Sequence, residues 1–267
     1  MLREGLEKDS NFGKKYKMPE LPEVETIRRD LEPRVVGKRL LGYGLVKGFG
    51  RVGKIMFFEL EGKYLLVHLK MTGQLIYVDG DEILPGGHEG PDINKYTRKV
   101  LKFSDGSKLL FNDLRRFGYV KLSKELPVLG PEPIEDGFSL KGILKNRTAS
   151  IKSLLLNQQL VAGIGNIYVD EICFGAGVRP QRKANKLSKE EIKKLERHAK
   201  SILKKAIEYR GTTFSDYRDG VGKKGGYQKL LKVYGRANEM CKKCKEKKIK
   251  KIRVAARGTH YCPKCQK

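Results

Sequence analysis

Apolar residues recur at helical spacing from Glu23 to Val36. Val24, Ile27, Leu31 and Val35 fall on one face, Pro22 suits a first turn and Gly37 an end. From Leu40 to Leu122 the pattern changes to short runs, among them "IMFFEL", "YLLVHL", "QLIYV", "KVLKF", "KLLF" and "YVKL", separated by EGK, DG and SDGS turns. One helix leading a series of strands predicts a β-sandwich or barrel. "LGPEPIEDGFS" (129–139) is rich in Pro and Gly and has no period, as expected of a linker.

Helical spacing returns over residues 140–210. "ASIKSLLLNQQLVAGIGNIYVDEICFGAG" predicts a helix, a glycine-bearing turn at Ala162–Gly165 and a second helix, a helix-turn-helix type arrangement. "LSKEEIKKLERHAKSILKKAIEYRG" opens with Ser188 and, three residues on, Glu191, the pattern of a capping box, and Gly211 closes it. Residues 211–226 are Gly-rich and polar, and there is no internal repeat.

Composition narrows the function. A length of 267 residues with 39% apolar content allows two domains, or one plus a module, with a real core. No apolar run approaches a membrane span, and the charged N-terminal stretch lacks the apolar centre of a secretory signal. The net charge is +26, with 57 Lys+Arg against 31 Asp+Glu. Ion-pair networks of a heat-adapted surface need near-balanced signs, so this excess points to a polyanion, most simply nucleic acid.

Four of the five cysteines close the chain: Cys241, Cys244, Cys262 and Cys265, in the spacing C-x2-C-x17-C-x2-C. Two such knuckles brought together by a hairpin make a closed, structural zinc site. Disulfides are the poorer reading in a chain with no export signal. Such a small module buries little core, so the metal supplies its folding energy. Between the knuckles, "KEKKIKKIRVAARGTH" reads as a β-ribbon presenting Arg253 and Arg257 to phosphates, or as a ribbon holding a protein partner. Cys173, alone in an apolar helical stretch, reads as an inert buried thiol.

"MPELPEVETIRR", "HLKMTG", "FNDLRRFG", "LGPEP", "AGIGNIYVDE", "VYGR" and "ARGTHYCPKCQ" occur in that order between residues 18 and 267. Together they resemble the bacterial formamidopyrimidine-DNA glycosylases, base-excision enzymes for oxidised purines. The resemblance implies an α+β fold: an N-terminal β-sandwich (18–136), a helix–two-turn–helix domain (137–226) and a C-terminal zinc-finger β-hairpin (227–267), with duplex DNA in the cleft. It also implies one structural Zn2+, lesion-bearing or abasic double-stranded DNA as partner, a monomer, no membrane, and a cytoplasmic, bacterial setting.

Site residues follow from the same resemblance. Pro19 is the amine that attacks C1′ of the damaged nucleotide and forms an iminium. An α-amine, with a pKa of about 8, is partly unprotonated at neutral pH. Glu20 matches the acid/base carboxylate for the sugar ring oxygen, and Glu23 a second carboxylate near the amine. The catalytic lysine has two candidates. Lys54 in "RVGK" has the right distance to Met71, with two strands between; Lys63 in "EGKYLL" sits at a hairpin turn, so Lys54 is preferred. The family is longer between the amine and this lysine by about twenty residues, which bears on how the two converge.

Excision requires the base to leave the stack. Met71, Arg115 and Phe117 match the residues that fill the gap and read the orphaned cytosine, two apolar wedges and a planar donor fork. Phosphate contacts are implied for Lys152, Asn166 and Arg257, with Arg257 also assisting loss of the 3′ phosphate. Asn166 stands where the GIGN turn meets a helix N-terminus. His68 suits a phosphate contact or packing. Tyr96 replaces a family histidine and alters that DNA contact. Lys224 lies in "GVGKKGGYQ" (220–228), like the loop over a flipped base.

A proline nucleophile needs a free amine, so residues 1–17, which match nothing in the family, are expected to be absent from the active protein, with translation starting at Met18. Two other functions fit less well: an endonuclease VIII-like glycosylase for oxidised pyrimidines, and a zinc-ribbon DNA-binding protein without catalysis.

Overall fold

The computed structural model describes residues 18–79, 82–83, 95–213 and 224–267. The 1–17 extension and residues 220–223 of the Gly-rich loop lie outside the described residues.

The first helix, α1 (Leu21–Val35), starts two residues earlier than the apolar spacing indicates, because Pro22 is accommodated in its first turn. Leu21, Val24, Ile27, Leu31 and Val35 are all at most 3% exposed. Burial of each such side chain contributes about 1.5–3 kcal/mol, so tertiary packing holds the helix.

Among the described residues ten strands follow: β1 (Arg39–Leu40), β2 (Gly44–Leu45), β3 (Gly48–Val52), β4 (Ile55–Leu60), β5 (Lys63–His68), β6 (Gly73–Asp79), β7 (Glu82–Ile83), β8 (Thr97–Lys102), β9 (Lys108–Asp113) and β10 (Tyr119–Ser123). Two four-stranded antiparallel sheets, ordered β10-β5-β4-β3 and β7-β6-β9-β8, share one core, and β1–β2 forms a separate ribbon. The six quoted apolar runs are six of these strands. Of the four described strands that the apolar pattern passes over, β3, "GFGRV", is the longest, and its two glycines lower strand propensity.

Two connections cross between the sheets. One joins β5 to β6 and the other joins β9 to β10. The register sets His68 opposite Tyr119 in the first sheet and Gly73 opposite Asp113 in the second. The crossings at 69–72 and 114–118 therefore run side by side at one end of the sandwich.

The helical part holds α2 (Leu140–Leu144), α3 (Ile151–Leu156), α4 (Asn166–Ala176) and α5 (Lys189–Glu208). Leu195, Ala199, Leu203 and Ala206 form the buried face of α5. Its capping box is formed: Ser188 Oγ accepts Glu191 N–H at 3.2 Å, and the Glu191 carboxylate accepts Ser188 N–H at 2.8 Å. Tyr227, Leu231 and Tyr234 join this helical core. The chain ends in the hairpin β11 (Lys250–Val254) and β12 (Arg257–Tyr261), beside a small core of Phe174, Val233, Ile249 and cysteines.

Candidate active site and nucleic-acid interface

The start of α1 is driven into the helical part. Leu21 N–H donates to Gly163 O at 3.1 Å. Glu20, 2% exposed, lays its carboxylate on the first turn of α4, where Oε1 accepts Ile167 N–H at 2.8 Å. That approach needs a glycine: a Cβ on Gly165 would lie 2.2 Å from Glu20 Cδ. Glu23 is buried beside it. Its Oε2 accepts Glu20 N–H at 2.9 Å, and its Oε1 accepts Tyr168 O–H at 2.5 Å and Thr212 N–H at 2.7 Å. Gly211 is the second mould, with φ +77° and a hypothetical Cβ 2.7 Å from Glu23 Oε1.

Lys54 occupies the turn between β3 and β4, is 5% exposed, and donates from Nζ to Ile164 O at 2.8 Å. Burial pushes the Lys54 ammonium below its usual range, opposed by the charges of Glu20 and Glu23 and aided by Arg257. Burial likewise raises Glu20, against the pull of Lys54 and the α4 amides. Glu23 is pushed up to about 7, by burial first and the Glu20 charge second. Two buried carboxyls biased toward their protonated forms and a buried lysine whose charge is disfavoured therefore interact next to Glu20's chain neighbour Pro19, itself buried. Lys63 begins β5 at the far end of the β4–β5 hairpin. Six strand residues separate that end from the Lys54 turn, about 20 Å at the usual rise.

The Lys54 turn is clamped from the linker. Glu132 accepts Gly53 N–H at 2.7 Å and both Arg51 terminal nitrogens at 2.6 and 2.9 Å, and Arg51 Nε reaches Glu25 on α1 at 3.0 Å. Bidentate guanidinium–carboxylate contact gives this clamp its geometry.

Met71, Arg115 and Phe117 stand together on the two sheet crossings. The Arg115 guanidinium lies 4.7 Å from the Phe117 ring centroid, and its Nη1 is 3.5 Å from Met71 Sδ. Phe117 is 52% exposed, a large apolar ring held in solvent. His68, at the end of β5, is held to about 3 by burial and by the Lys70 and Lys54 charges. Its Nδ1 accepts Lys70 N–H at 3.1 Å, so the neutral ring carries its proton on Nε2. Tyr96 lies just before β8 and accepts Asp113 N–H at 2.9 Å through its carbonyl. Lys224 is exposed, at the edge of the undescribed segment 214–223.

The expectation of a phosphate contact from Lys152 is corrected. Lys152 is fully buried, donating to Asp170 Oδ1 at 2.7 Å and Gly258 O at 3.2 Å. A side chain enclosed in this way supports the β12 strand and faces no solvent. Asp170 continues the network, its Oδ2 accepting His260 N–H at 2.7 Å. Asn166 is the first residue of α4 and donates from Nδ2 to Gly258 O at 3.1 Å. The anion on this helix start is the protein's own Glu20. Arg257 is exposed at the hairpin, near enough to Lys54 to depress it.

The four terminal cysteine sulfurs lie within 4.8 Å of one another, with Cys241–Cys265 and Cys244–Cys262 both at 3.8 Å. A tetrahedron with Zn–S bonds of about 2.3 Å has edges of about 3.8 Å, so the set fits zinc and is too wide for disulfides.

Several residues of the site lie within or outside the quoted motifs without their roles being legible there. Tyr168, Thr212, Asp113 and the Arg51–Glu132 clamp act through contacts between distant segments. Asp170 and Glu171 had one available sign: two adjacent acids inside the otherwise apolar helix "NIYVDEICFGA". Glu171 accepts the backbone N–H groups of Lys232, Val233 and Tyr234 at 2.8–2.9 Å, anchoring the approach to the zinc module.

Comparison with known proteins finds three family models. The formamidopyrimidine-DNA glycosylase N-terminal domain matches residues 18–47 and 40–120, the formamidopyrimidine-DNA glycosylase H2TH domain residues 129–218, and the zinc finger found in FPG and IleRS residues 238–267. The formamidopyrimidine-DNA glycosylase of Carboxydothermus hydrogenoformans is 43% identical over 276 residues, covering 94% of this chain and 100% of the relative. That of Desulfitobacterium hafniense is 41% identical, covering 93% and 100%. Among solved structures, Lactococcus lactis Fpg with abasic-site DNA is 35% identical with a TM-score of 0.81, covering 93% of this chain and 99% of that one. The MutM (Fpg) protein of Thermus thermophilus is 36% identical with a TM-score of 0.81, covering 93% and 98%.

Proposed function

The chain belongs to the formamidopyrimidine-DNA glycosylase family, and from that premise we propose how its own residues carry the reaction. It is a base-excision DNA repair enzyme, a glycosylase for oxidised purines with abasic-site lyase activity, acting on duplex DNA and carrying one structural zinc. The endonuclease VIII-like and catalytically inactive readings are not favoured.

The Pro19 nitrogen is the nucleophile. It adds to C1′ of the lesion nucleotide as the base departs, and the resulting iminium makes the C2′ hydrogens acidic, so that the 3′ and then the 5′ phosphate leave by elimination. Glu20, whose burial favours the protonated form, gives its proton to the sugar ring oxygen and serves afterwards as base. Lys54 and Arg257 supply positive charge at the reacting nucleotide and its 3′ phosphate. Met71, Arg115 and Phe117 fill the vacated stack and hold the orphaned cytosine. His68, Tyr96, Asn166 and Lys224 line the DNA path. The observation that supports this reading is that Glu20, the chain neighbour of Pro19, and Arg257, from a distant segment, both lie near enough to Lys54 for their charges to act on it.

We infer working units of 18–136, 137–226 and 227–267, a monomer, and a cytoplasmic setting at the chromosome. Among the described residues no helix is long and apolar enough to cross a membrane. The chemistry also requires Pro19 to be the mature N-terminus, because a prolyl amide has no nucleophilic lone pair. Incubation of the protein expressed from Met18 with an 8-oxoguanine duplex and borohydride should trap a covalent adduct through Pro19. Absence of that adduct in zinc-loaded, DNA-binding protein would overturn the reading.

A further inference from the structure

We propose that Asp113 is the positioning residue of the lesion-probing wedge, fixing Met71 and the Arg115–Phe117 pair as one rigid unit. The inference rests on the wedge role proposed above. Asp113 is 1% exposed, so it meets no DNA itself. It ends β9 where the second sheet crossing begins, and its carboxylate draws both crossings together.

Oδ1 accepts the Thr72 hydroxyl, one residue beyond Met71, and also Arg115 N–H at 3.2 Å. Arg115 N–H is shared with Thr72 Oγ1 at 3.0 Å, which closes a three-membered ring of contacts between the crossings. Oδ2 accepts Gly118 N–H at 2.7 Å, so the carboxylate spans the whole Arg115–Phe117 turn. The main chain is pinned as well, since Arg98 Nε donates to Asp113 O at 2.9 Å.

Both crossings contain a non-glycine residue in left-handed conformation, Lys70 at φ 51° and Arg116 at φ 57°. Such residues persist where surrounding contacts over-determine them: His68 Nδ1 accepts Lys70 N–H, and Arg116 lies within the turn whose Arg115 and Gly118 N–H groups the Asp113 carboxylate accepts. Met71, Arg115 and Phe117 gain from Asp113 what a wedge needs: a fixed mutual spacing without burial of the side chains themselves. An asparagine at this position has one acceptor oxygen, so its amide faces either Gly118 N–H or Arg115 N–H, donor against donor, and the Thr72 hydroxyl must turn from donor to acceptor in the second case.

The test uses zinc-loaded protein expressed from Met18. Single-turnover excision is measured on an 8-oxoguanine duplex with cytosine, then adenine, opposite the lesion, and borohydride trapping on single-stranded abasic DNA, which requires no wedge. Asp113→Asn is expected to slow excision opposite cytosine by about tenfold or more and to bring the cytosine-to-adenine rate ratio towards one. Trapping on single strands should fall far less. Thr72→Val should act in the same direction, more weakly. A loss of folded protein lowers both duplex rates alike, so an unchanged ratio in Asp113→Asn overturns the proposal, whether the rates fall or stay. Phe117→Ala separates the two ideas: full duplex excision in that variant sinks the wedge role itself, whereas impaired excision there with an intact ratio in Asp113→Asn sinks only the positioning role.

Discussion

Replacing Gly165 with alanine perturbs the site without touching any side chain in it. The added Cβ would sit 2.2 Å from Glu20 Cδ, 2.5 Å from Oε1 and 2.6 Å from Cγ. Carbon atoms in contact rest about 3.5–4.0 Å apart, so the carboxyl or the turn must move by more than an ångström. Glu20 is 2% exposed and has no open space to retreat into. Overpacking of this kind costs about 1–3 kcal/mol of stability. Displacement also breaks the 2.8 Å bond from Ile167 N–H, worth about 0.5–1.5 kcal/mol to a neutral carboxyl. A misplacement of about 1 Å in a catalytic group lowers rates by about a hundredfold. Base excision from an 8-oxoguanine duplex should therefore fall by about two orders of magnitude under single turnover. Cleavage of preformed abasic sites, which skips loss of the base, should fall less. Gly142→Ala is the control: nothing lies within 4 Å of its hypothetical Cβ in α2, and excision should be unchanged. Full excision by Gly165→Ala at an unchanged melting temperature would refute the close-approach reasoning.

Lys152→Met strands the Asp170 carboxylate and should cost about 3–5 kcal/mol in denaturant unfolding, whereas Arg257→Ala should lower the salt slope of DNA binding by about one. A fully stable Lys152→Met protein with a reduced slope would restore Lys152 as a phosphate contact. Stripping zinc should release hydrogen-exchange protection in β11 and β12 and abolish DNA binding, both recovering with added metal; protection that persists in metal-free protein contradicts the metal-driven fold of this module. Glu23, raised to about 7, takes up a proton on folding between its unfolded value of 4.5 and 7. Its contribution is therefore complete below about pH 4.5 and lost as pH rises through 7, about 3 kcal/mol in all. Stability of the parent protein relative to Glu23→Gln should decline over that window, and a flat difference would show that Glu23 titrates normally.

Local features were legible in the sequence because they depend on neighbours along the chain. Alternation and turns marked six sandwich strands, the spacing of Val24, Ile27, Leu31 and Val35 marked α1, and Ser188 with Glu191 marked the start of α5. The cysteine spacing specified a four-thiolate site, since knuckle geometry is set within a few residues. The motifs carried the family and, with it, the names of the candidate residues. The choice between Lys54 and Lys63 shows where such reading stops. Both follow a glycine and precede a strand, and only the β4–β5 pairing puts one at the Glu20 end and the other about 20 Å away. Lys152 makes the same point in reverse: the resemblance implied a phosphate contact, and only the packing shows Asp170 and Gly258 closing over it. Asp113, Tyr168 and Glu132 lie inside the quoted motifs, but their roles were silent because a carboxylate or hydroxyl acquires its role from partners that sheet register and domain contact deliver. Periodicity records which face of an element is buried. Distances between elements, and with them burial, shifted protonation and convergence on one nucleotide, arise only when segments far apart in the chain are packed together.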